Sequence, residues 1–381
     1  MTEAMEAIRE VCEGITKQVD RAYMAECGKK REAPHKLWKV MADSGLLAIG
    51  VPEEYGGAGG ELSEVTYALD LLGRSGLLAT RYVTSQMART TIARHGSEEQ
   101  KKLYLPRAAT GDLFFAFAVT EAEAGTNSFK MRTRAERQPN GDYVLNGEKA
   151  FITGIHEADY VLIVARTAKL DPAERKSGIS IFILDPKSKG VGLSVMDIAL
   201  HMADKSFIVN LDNVVVPAKN MVGIEGKGLE SLFDCLNPER LMAAGLQVGL
   251  ADFVLNKGAT YAKERAPFDK PIGIYQSVQH PMAAAKARIE AARALTYLAT
   301  AKYDRGENAG MESNMVKYLS AEALKDAADI AVSTFGGAAM DLSQDVLPFY
   351  LWAKFSEIAP INKNVVLSSI AERSLGLPRS Y

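Results

Sequence analysis

The sequence predicts a multi-domain α+β protein. It has an all-helical N-terminal domain over residues 1–112, a small central β-barrel or sandwich over 113–222 and a C-terminal four-helix bundle over 223–381. Three observations carry this expectation. Apolar residues recur at three- and four-residue spacing up to about residue 112, the period of helices that bury one face. Short runs of β-branched and aromatic residues, separated by turn formers, fill the middle. The helical period then returns in tracts too long for strands. The order of helices, strands and helices excludes a doubly wound parallel sheet. No Gly-x-Gly-x-x-Gly follows a strand, so a Rossmann dinucleotide site is not expected either.

In the first domain the helical period covers Glu3–Cys27, Pro34–Ser44, Leu62–Gly73 and Glu98–Thr110. The glycine-rich stretch Val51–Gly60 reads as a connection, because no strand or Lys-Ser/Thr pattern frames it as a phosphate loop. His95, beside Gly96, is expected to close a helix. Six β-rich runs follow: Leu113–Thr120, Tyr143–Asn146, Ala150–Thr153, Tyr160–Ala165, Ile179–Leu184 and Ser206–Leu211. The second follows Asn140-Gly141, a strong hairpin-turn signal. Beyond Gly223–Gly228, helical tracts run over 229–265, 276–304, 312–335 and 343–357, with a last helix near 364–376. Arg265–Ile272 is a proline-bounded loop, and Gly336-Gly337 ends the third tract.

The composition excludes several classes of function. The 45 basic and 47 acidic residues leave a net charge of −2, no electrostatic footprint for nucleic acid or an anionic membrane. Cys12, Cys27 and Cys235 are odd in number and far apart, as suits a reducing cytoplasm. The N-terminus carries no basic, apolar leader, and no uncharged run reaches the ~18 residues of a membrane span. The expectation is a cytoplasmic protein. The histidines at 35, 95, 156, 201 and 280 lack ligand spacing, so no metal site is expected, and no Gly-x-Ser-x-Gly elbow occurs.

Two places carry chemistry. In Leu236–Leu241, Asn237 and Pro238 have the character of a helix N-cap and first position, and Glu239 would then be a first-turn charge favoured by the helix dipole. Alternatively the helix runs through Pro238 and turns Glu239 inward as a general base. The second place is the pair of strand ends Val119–Asn127 and Phe151–Gly154, whose small and hydroxylated residues allow a flat polar ligand close to the backbone. Two plain barrel loops account for the same residues.

The pattern from the first helix to about residue 340 resembles the acyl-CoA dehydrogenase family. Val51–Gly57 is like the loop after the family's second long helix. Ala118–Thr126 is similar to its Ala-x-Thr-Glu-Pro-x-Ala-Gly-Ser signature, with Ala122 for the proline. Asn146–Gly154 resembles Asn-Gly-x-Lys-x-Trp-Ile-Thr-Asn, and Arg265–Gln276 resembles Arg-x-x-Phe-Gly-x-Pro-Ile...Gln, with Asp269 for the glycine. The resemblance implies FAD held between barrel and bundle in a homodimer or homotetramer. Phe117, Val119 and Thr120 would meet the isoalloxazine edge. Gly125 and Thr126 would bind a phosphate or the substrate end, and Phe151 and Thr153 would flank the flavin. Arg265, Phe268, Gln276, Gly336 and Gly337 would meet the pyrophosphate and adenine portion across a subunit boundary. Asn237 and Arg240 would lie by the acyl-CoA substrate.

The implied reaction is α,β-dehydrogenation of an acyl-CoA thioester, as in β-oxidation. A carboxylate takes the α-proton, the β-hydrogen leaves as hydride to flavin N5, and electrons pass to an electron-transferring flavoprotein. The family's common base position, in a Tyr-Glu-Gly-Thr segment, falls on Pro360, which cannot accept a proton. Glu239-Arg240-Leu241 is similar instead to the isovaleryl- and long-chain branch, which carries its base in a Glu-Arg-Leu helix. Glu357 is the other nearby carboxylate and reads as a surface charge. Leu351-Trp352 and Ser333 also depart from the pattern, and Asn362 and Asn364 replace the segment that touches FAD. Three other readings therefore stand beside the dehydrogenase: an enoyl-CoA reductase, one subunit of a heteromer with a partner-completed FAD site, and a binding protein that has lost flavin.

Overall fold

The computed structural model describes residues 2–169, 177–200 and 203–379, so His201 lies outside the described residues. The N-terminal helices are α1 (Glu3–Gln18), α2 (Arg21–Lys30), α3 (His35–Asp43), α4 (Leu62–Arg74), α5 (Thr80–His95) and α6 (Glu98–Ala109). The single helix expected over Glu3–Cys27 is two. Val19 leaves the helix in an extended conformation, and the Asp20 side chain caps α2 by accepting from the Tyr23 amide. Helix α5 ends at His95, where a helix end was expected, but none of the expected periodic segments covers it. Its buried face carries Arg81, Ser85, Gln86, Arg89 and Thr91, and these polar residues hide the apolar period. In place of a cap by His95, Gly96 continues extended and the His95 ring turns to Asp234 at 2.9 Å.

The middle of the chain forms β1 (Phe115–Ala118), β2 (Arg134–Arg137), β3 (Tyr143–Thr153), β4 (Tyr160–Arg166), β5 (Ile179–Leu184), β6 (Val191–Val195), β7 (Ser206–Val216) and β8 (Met221–Val222). They make one sheet in the order β6-β7-β3-β2-β4-β5-β8, with β1 parallel to β4. Two of the six expected runs fuse into β3, whose pairing with β7 slips between Leu145 and Gly147 and again between Lys149 and Ile152. At Gly147 the backbone has φ +147°, and a Cβ there would sit 2.6 Å from the Thr133 Cα, so only glycine lets the two segments approach. Strands β2, β6 and β8 were not expected. Arg134–Arg137 is charged, Val191–Val195 is largely exposed, and Met221–Val222 is too short to show a period.

The C-terminal part contains α7 (Gly228–Glu264), α8 (Gln276–Asp304), α9 (Gly310–Phe335), α10 (Leu347–Ile358) and α11 (Lys363–Leu375). A continuous core unites the N-terminal helices with this bundle, while a second lies within the sheet. Helices α4 and α7 touch backbone to backbone, since a Cβ at Gly249 would lie 2.2 Å from the Asp70 carbonyl oxygen. A buried ion network reinforces the contact. Asp70, fully buried on α4, accepts from Arg74 and from Arg293 of α8, and from the Tyr297 hydroxyl. Arg293 also pairs with Asp252 of α7 at 2.6 Å. Among the described residues no helix is long and apolar enough to cross a membrane.

Candidate functional site

Helix α7 decides between the two readings of Leu236–Leu241. It begins at Gly228 and runs through Pro238 to Glu264, so Asn237 is not an N-cap and Glu239 is not a first-turn charge. Pro238 brings no amide hydrogen, which leaves the Asp234 carbonyl without its usual helical donor. The Asn237 side chain works within the helix instead, its Oδ1 accepting from Arg240 Nη1 at 3.1 Å. The same Nη1 donates to Asn314 Oδ1 of α9 at 3.1 Å, and Asn314 Nδ2 donates to Ser369 Oγ of α11 at 3.2 Å. Arg240 is thus buried in a polar bridge across three helices with no carboxylate in ion-pair range among the described residues.

Glu239 is half-buried and makes no hydrogen bond or ion pair among the described residues. Burial pushes its carboxyl up to about 7, and the neighbouring Arg240 offsets only part of that cost. A carboxylate that is desolvated, unpartnered and titrating near neutrality can accept a proton from a weak carbon acid. Glu357 has the opposite character. It was expected on the surface, yet it is 2% exposed. Lys354 binds it at 2.6 Å and Lys363 binds it more closely still. Although burial opposes ionisation, these lysines hold its carboxyl down to about 2. A carboxylate so stabilised is a poor base at neutral pH. The corner that follows α10 is anchored from beneath, where fully buried Lys317 donates to the Glu357 carbonyl oxygen at 3.0 Å.

The two strand ends singled out in the sequence meet. Phe117 lies on β1, Val119 and Thr120 follow it, and Phe151 and Thr153 lie on β3. Ala150 N donates to the Thr120 carbonyl at 2.9 Å, and Lys149 Nζ donates to the Val119 carbonyl at 3.0 Å. Phe151 sits at the second β3–β7 irregularity with φ +60°, a strained angle for a side chain of its size, and it is 56% exposed. Thr153 Oγ1 lies 3.3 Å from Ser206 Oγ. Gly125 and Thr126 are exposed in the loop beyond Glu121. A large aromatic held out in a strained conformation, beside a loop of small residues, forms a platform for a flat ligand.

Arg265, Phe268, Gln276, Gly336 and Gly337 form a second group. The Arg265 carbonyl accepts from the Ile272 amide, closing the loop that carries Phe268 at 77% exposure. Tyr261 stacks on Phe335 with ring centroids 4.1 Å apart, which brings the Gly336-Gly337 corner to the same end of the bundle. A Cβ on either glycine would meet open space. Among the described residues no hydrogen bond or ion pair joins this group to the platform on β1 and β3. Asn362 and Asn364 belong to neither: Asn362 Oδ1 accepts from the Asn364 amide and caps α11.

Lys149, Glu121 and Asn314 were not singled out as site residues in the sequence. Lys149 and Glu121 stand inside the two quoted motifs, so the signal was present there. Asn314 carries none, because its relation to Arg240 exists only once α7 packs on α9.

Three family models match the chain. They are the acyl-CoA dehydrogenase N-terminal domain over residues 2–112, the middle domain over 116–211 and the C-terminal domain over 226–375. Acyl-CoA dehydrogenase FadE12 of Mycobacterium tuberculosis is 35% identical over 388 residues, covering 100% of this chain and 98% of that protein. An acryloyl-CoA reductase (NADH) of Anaerotignum propionicum is 30% identical over 369 residues, covering 95% and 91%. Among solved structures, the FAD complex of PigA superimposes with a TM-score of 0.91 at 27% identity, covering 99% of this chain and 98% of that one.

Proposed function

The chain belongs to the acyl-CoA dehydrogenase family, and on that premise we propose that it is an FAD-dependent oxidoreductase that desaturates an acyl-CoA thioester between its α and β carbons. The observation that carries this reading is Glu239 on α7, unpartnered among the described residues and with a carboxyl that titrates at about 7. Glu239 takes the α-proton of the thioester. Arg240 and Asn237 on the same helix segment bind the substrate beside it, with Thr126 at its other end. Burial lets hydrogen bonds to the thioester carbonyl polarise it far more than water would.

The residues fit FAD. The platform of Phe117, Val119, Thr120, Gly125, Thr126, Phe151 and Thr153 offers an exposed aromatic and a Thr120 amide with no acceptor of its own among the described residues. A second copy of the chain supplies Arg265, Phe268, Gln276, Gly336 and Gly337, while Asn362 and Asn364 cap α11 and stand outside the group. The Arg265 fork suits a pyrophosphate, and the open space beside both glycines admits it. When bound, FAD supplies the acceptor for the β-hydrogen, which leaves as hydride. The working assembly in this reading is a homodimer or homotetramer in the cytoplasm that passes electrons to an electron-transferring flavoprotein.

Anaerobic titration with acyl-CoA tests the reading. The purified chain is expected to be yellow and to bleach. Glu239→Gln should keep flavin and ligand while the reduction rate falls by about 10²–10⁴-fold, the range for a lost general base. Near-normal reduction in that variant would remove Glu239 from the role, and a chain that never takes up flavin would sink the proposal. A reductase reading is favoured by one specific observation, the 30% identity to the acryloyl-CoA reductase. The same site would then run in reverse, with Glu239 donating the proton. In that case reduced enzyme reoxidises rapidly with an enoyl-CoA, and acyl-CoA bleaches it poorly.

A further inference from the structure

Beneath the platform lies an ion pair to which the proposed chemistry assigns no part. Lys149 on β3 is fully buried, and its Nζ lies 2.8 Å from Glu121 Oε1. Glu121 is 7% exposed and also accepts from the backbone amides of Arg132 at 2.6 Å and Thr133 at 3.0 Å. Burial opposes ionisation of Glu121, but Lys149 and these donors outweigh it and hold the carboxyl below its usual range. Burying two charges is expensive, and apolar residues of the same volume would stabilise the sheet at lower cost. What an apolar pair would lack is direction. The other contact of Lys149 Nζ is the Val119 carbonyl oxygen at 3.0 Å.

In a trans peptide the C=O and the following N–H point in opposite directions. With the Val119 carbonyl drawn down toward buried Lys149, the Thr120 N–H faces away from the interior. The next carbonyl, that of Thr120, is drawn in by Ala150 N at 2.9 Å. Two consecutive carbonyls are therefore tied to β3, and the amide between them has no acceptor among the described residues.

We propose that Lys149, set by Glu121, is a positioning residue that turns the Val119–Thr120 peptide so that its amide donates to the edge of the flavin ring. The inference rests on the flavin reading above and adds a residue that would not touch the cofactor. It also gives a reason for a lysine beside Phe151. The side chain that fixes the Val119 carbonyl directly precedes the irregularity that exposes Phe151, so a single segment of β3 sets both walls of the platform.

The test uses the full-length chain with FAD. Lys149→Met leaves Glu121 buried without a cation and can fail to fold. The double variant Lys149→Met/Glu121→Gln removes both charges and carries the test. It is expected to match the wild type in circular dichroism and elution. Its FAD affinity, read by quenching of flavin fluorescence, should fall by about tenfold, the equivalent of one hydrogen bond. Its visible flavin bands should shift and lose vibronic structure. A double variant that melts earlier yet binds FAD with unchanged affinity and spectrum overturns the positioning role and leaves the pair purely structural. A wild-type chain that takes up no FAD overturns the flavin reading along with it, so the two failures are distinguishable.

Discussion

Glu239 titrates at about 7 because burial desolvates it and no group among the described residues donates to it. Two consequences follow at the residue scale. In catalysis the ionised form is the competent one for dehydrogenation. The flavin-reduction rate constant should rise about tenfold per pH unit below 7 and level off above it. Stopped-flow reduction from pH 5.5 to 9 checks this, and a flat profile would remove Glu239 as the titrating base. In stability the sign is the reverse of the usual carboxylate. The folded pKa is raised from 4.5, so between pH 4.5 and 7 the folded state holds more protons than the unfolded chain, and stability falls as pH rises through that window. Glu239→Gln removes the penalty. It should raise stability above pH 7 by up to about 3 kcal/mol and change little below pH 4.5, as read from denaturant midpoints. Glu357 would show neither behaviour, since Lys354 and Lys363 hold it ionised.

Among the elements, the α4–α7–α8 contact joins the N-terminal domain to the bundle. Asp70 is 0% exposed and gathers Arg74, Arg293 and Tyr297, while Asp252 and Glu290 complete the shell around Arg293. Burial costs Glu290 less than Arg293 and Lys286 return, which takes its carboxyl down to about 2. Removing one charge from such a network leaves the others buried and unpaired. Asp70→Asn should therefore lower stability by about 3–5 kcal/mol in urea unfolding. Because the network spans both helical parts, they should still unfold in one transition. Asp304 adds a second tie, accepting from the amides of Leu62 and Ser63 at the start of α4.

For the whole molecule, the two groups proposed for FAD, the platform on β1 and β3 and the Arg265–Gly337 end of the bundle, are joined by no hydrogen bond or ion pair among the described residues. A cofactor that needs both is expected to tie flavin occupancy to assembly. Flavin content should fall in parallel with the oligomer on dilution, followed by sedimentation velocity. Arg265→Ala should lower FAD affinity by about tenfold or more, the loss of a charge-assisted hydrogen bond, without changing the fold. Retention of flavin by a monomer would show that one chain suffices.

Much of this was legible in the sequence. The alternation of helices, strands and helices came from periodicity, because burial of one face forces a period of about 3.6 on a helix and 2 on a strand. The motifs at Ala118–Thr126 and Asn146–Gly154 marked the platform. What periodicity missed was α5, whose buried face is polar, and the charged or exposed strands β2 and β6, whose faces carry no contrast.

By itself the sequence determined the fold class and which residue types stand at the proposed site: Glu239 beside Arg240, Lys149 in its motif and, at Pro360, a side chain that cannot accept a proton. Only the tertiary structure decided what those residues are. Asn237-Pro238 has the local chemistry of a helix start, yet α7 begins at Gly228 and runs on, because packing against α4 and α9 outweighs one missing hydrogen bond. Glu357 has the composition of a surface charge, yet it is buried between two lysines. Among the described residues Glu239 has no partner, because the fold brings none to it. Desolvation and pairing depend on what other segments place beside a side chain, and local sequence does not contain that.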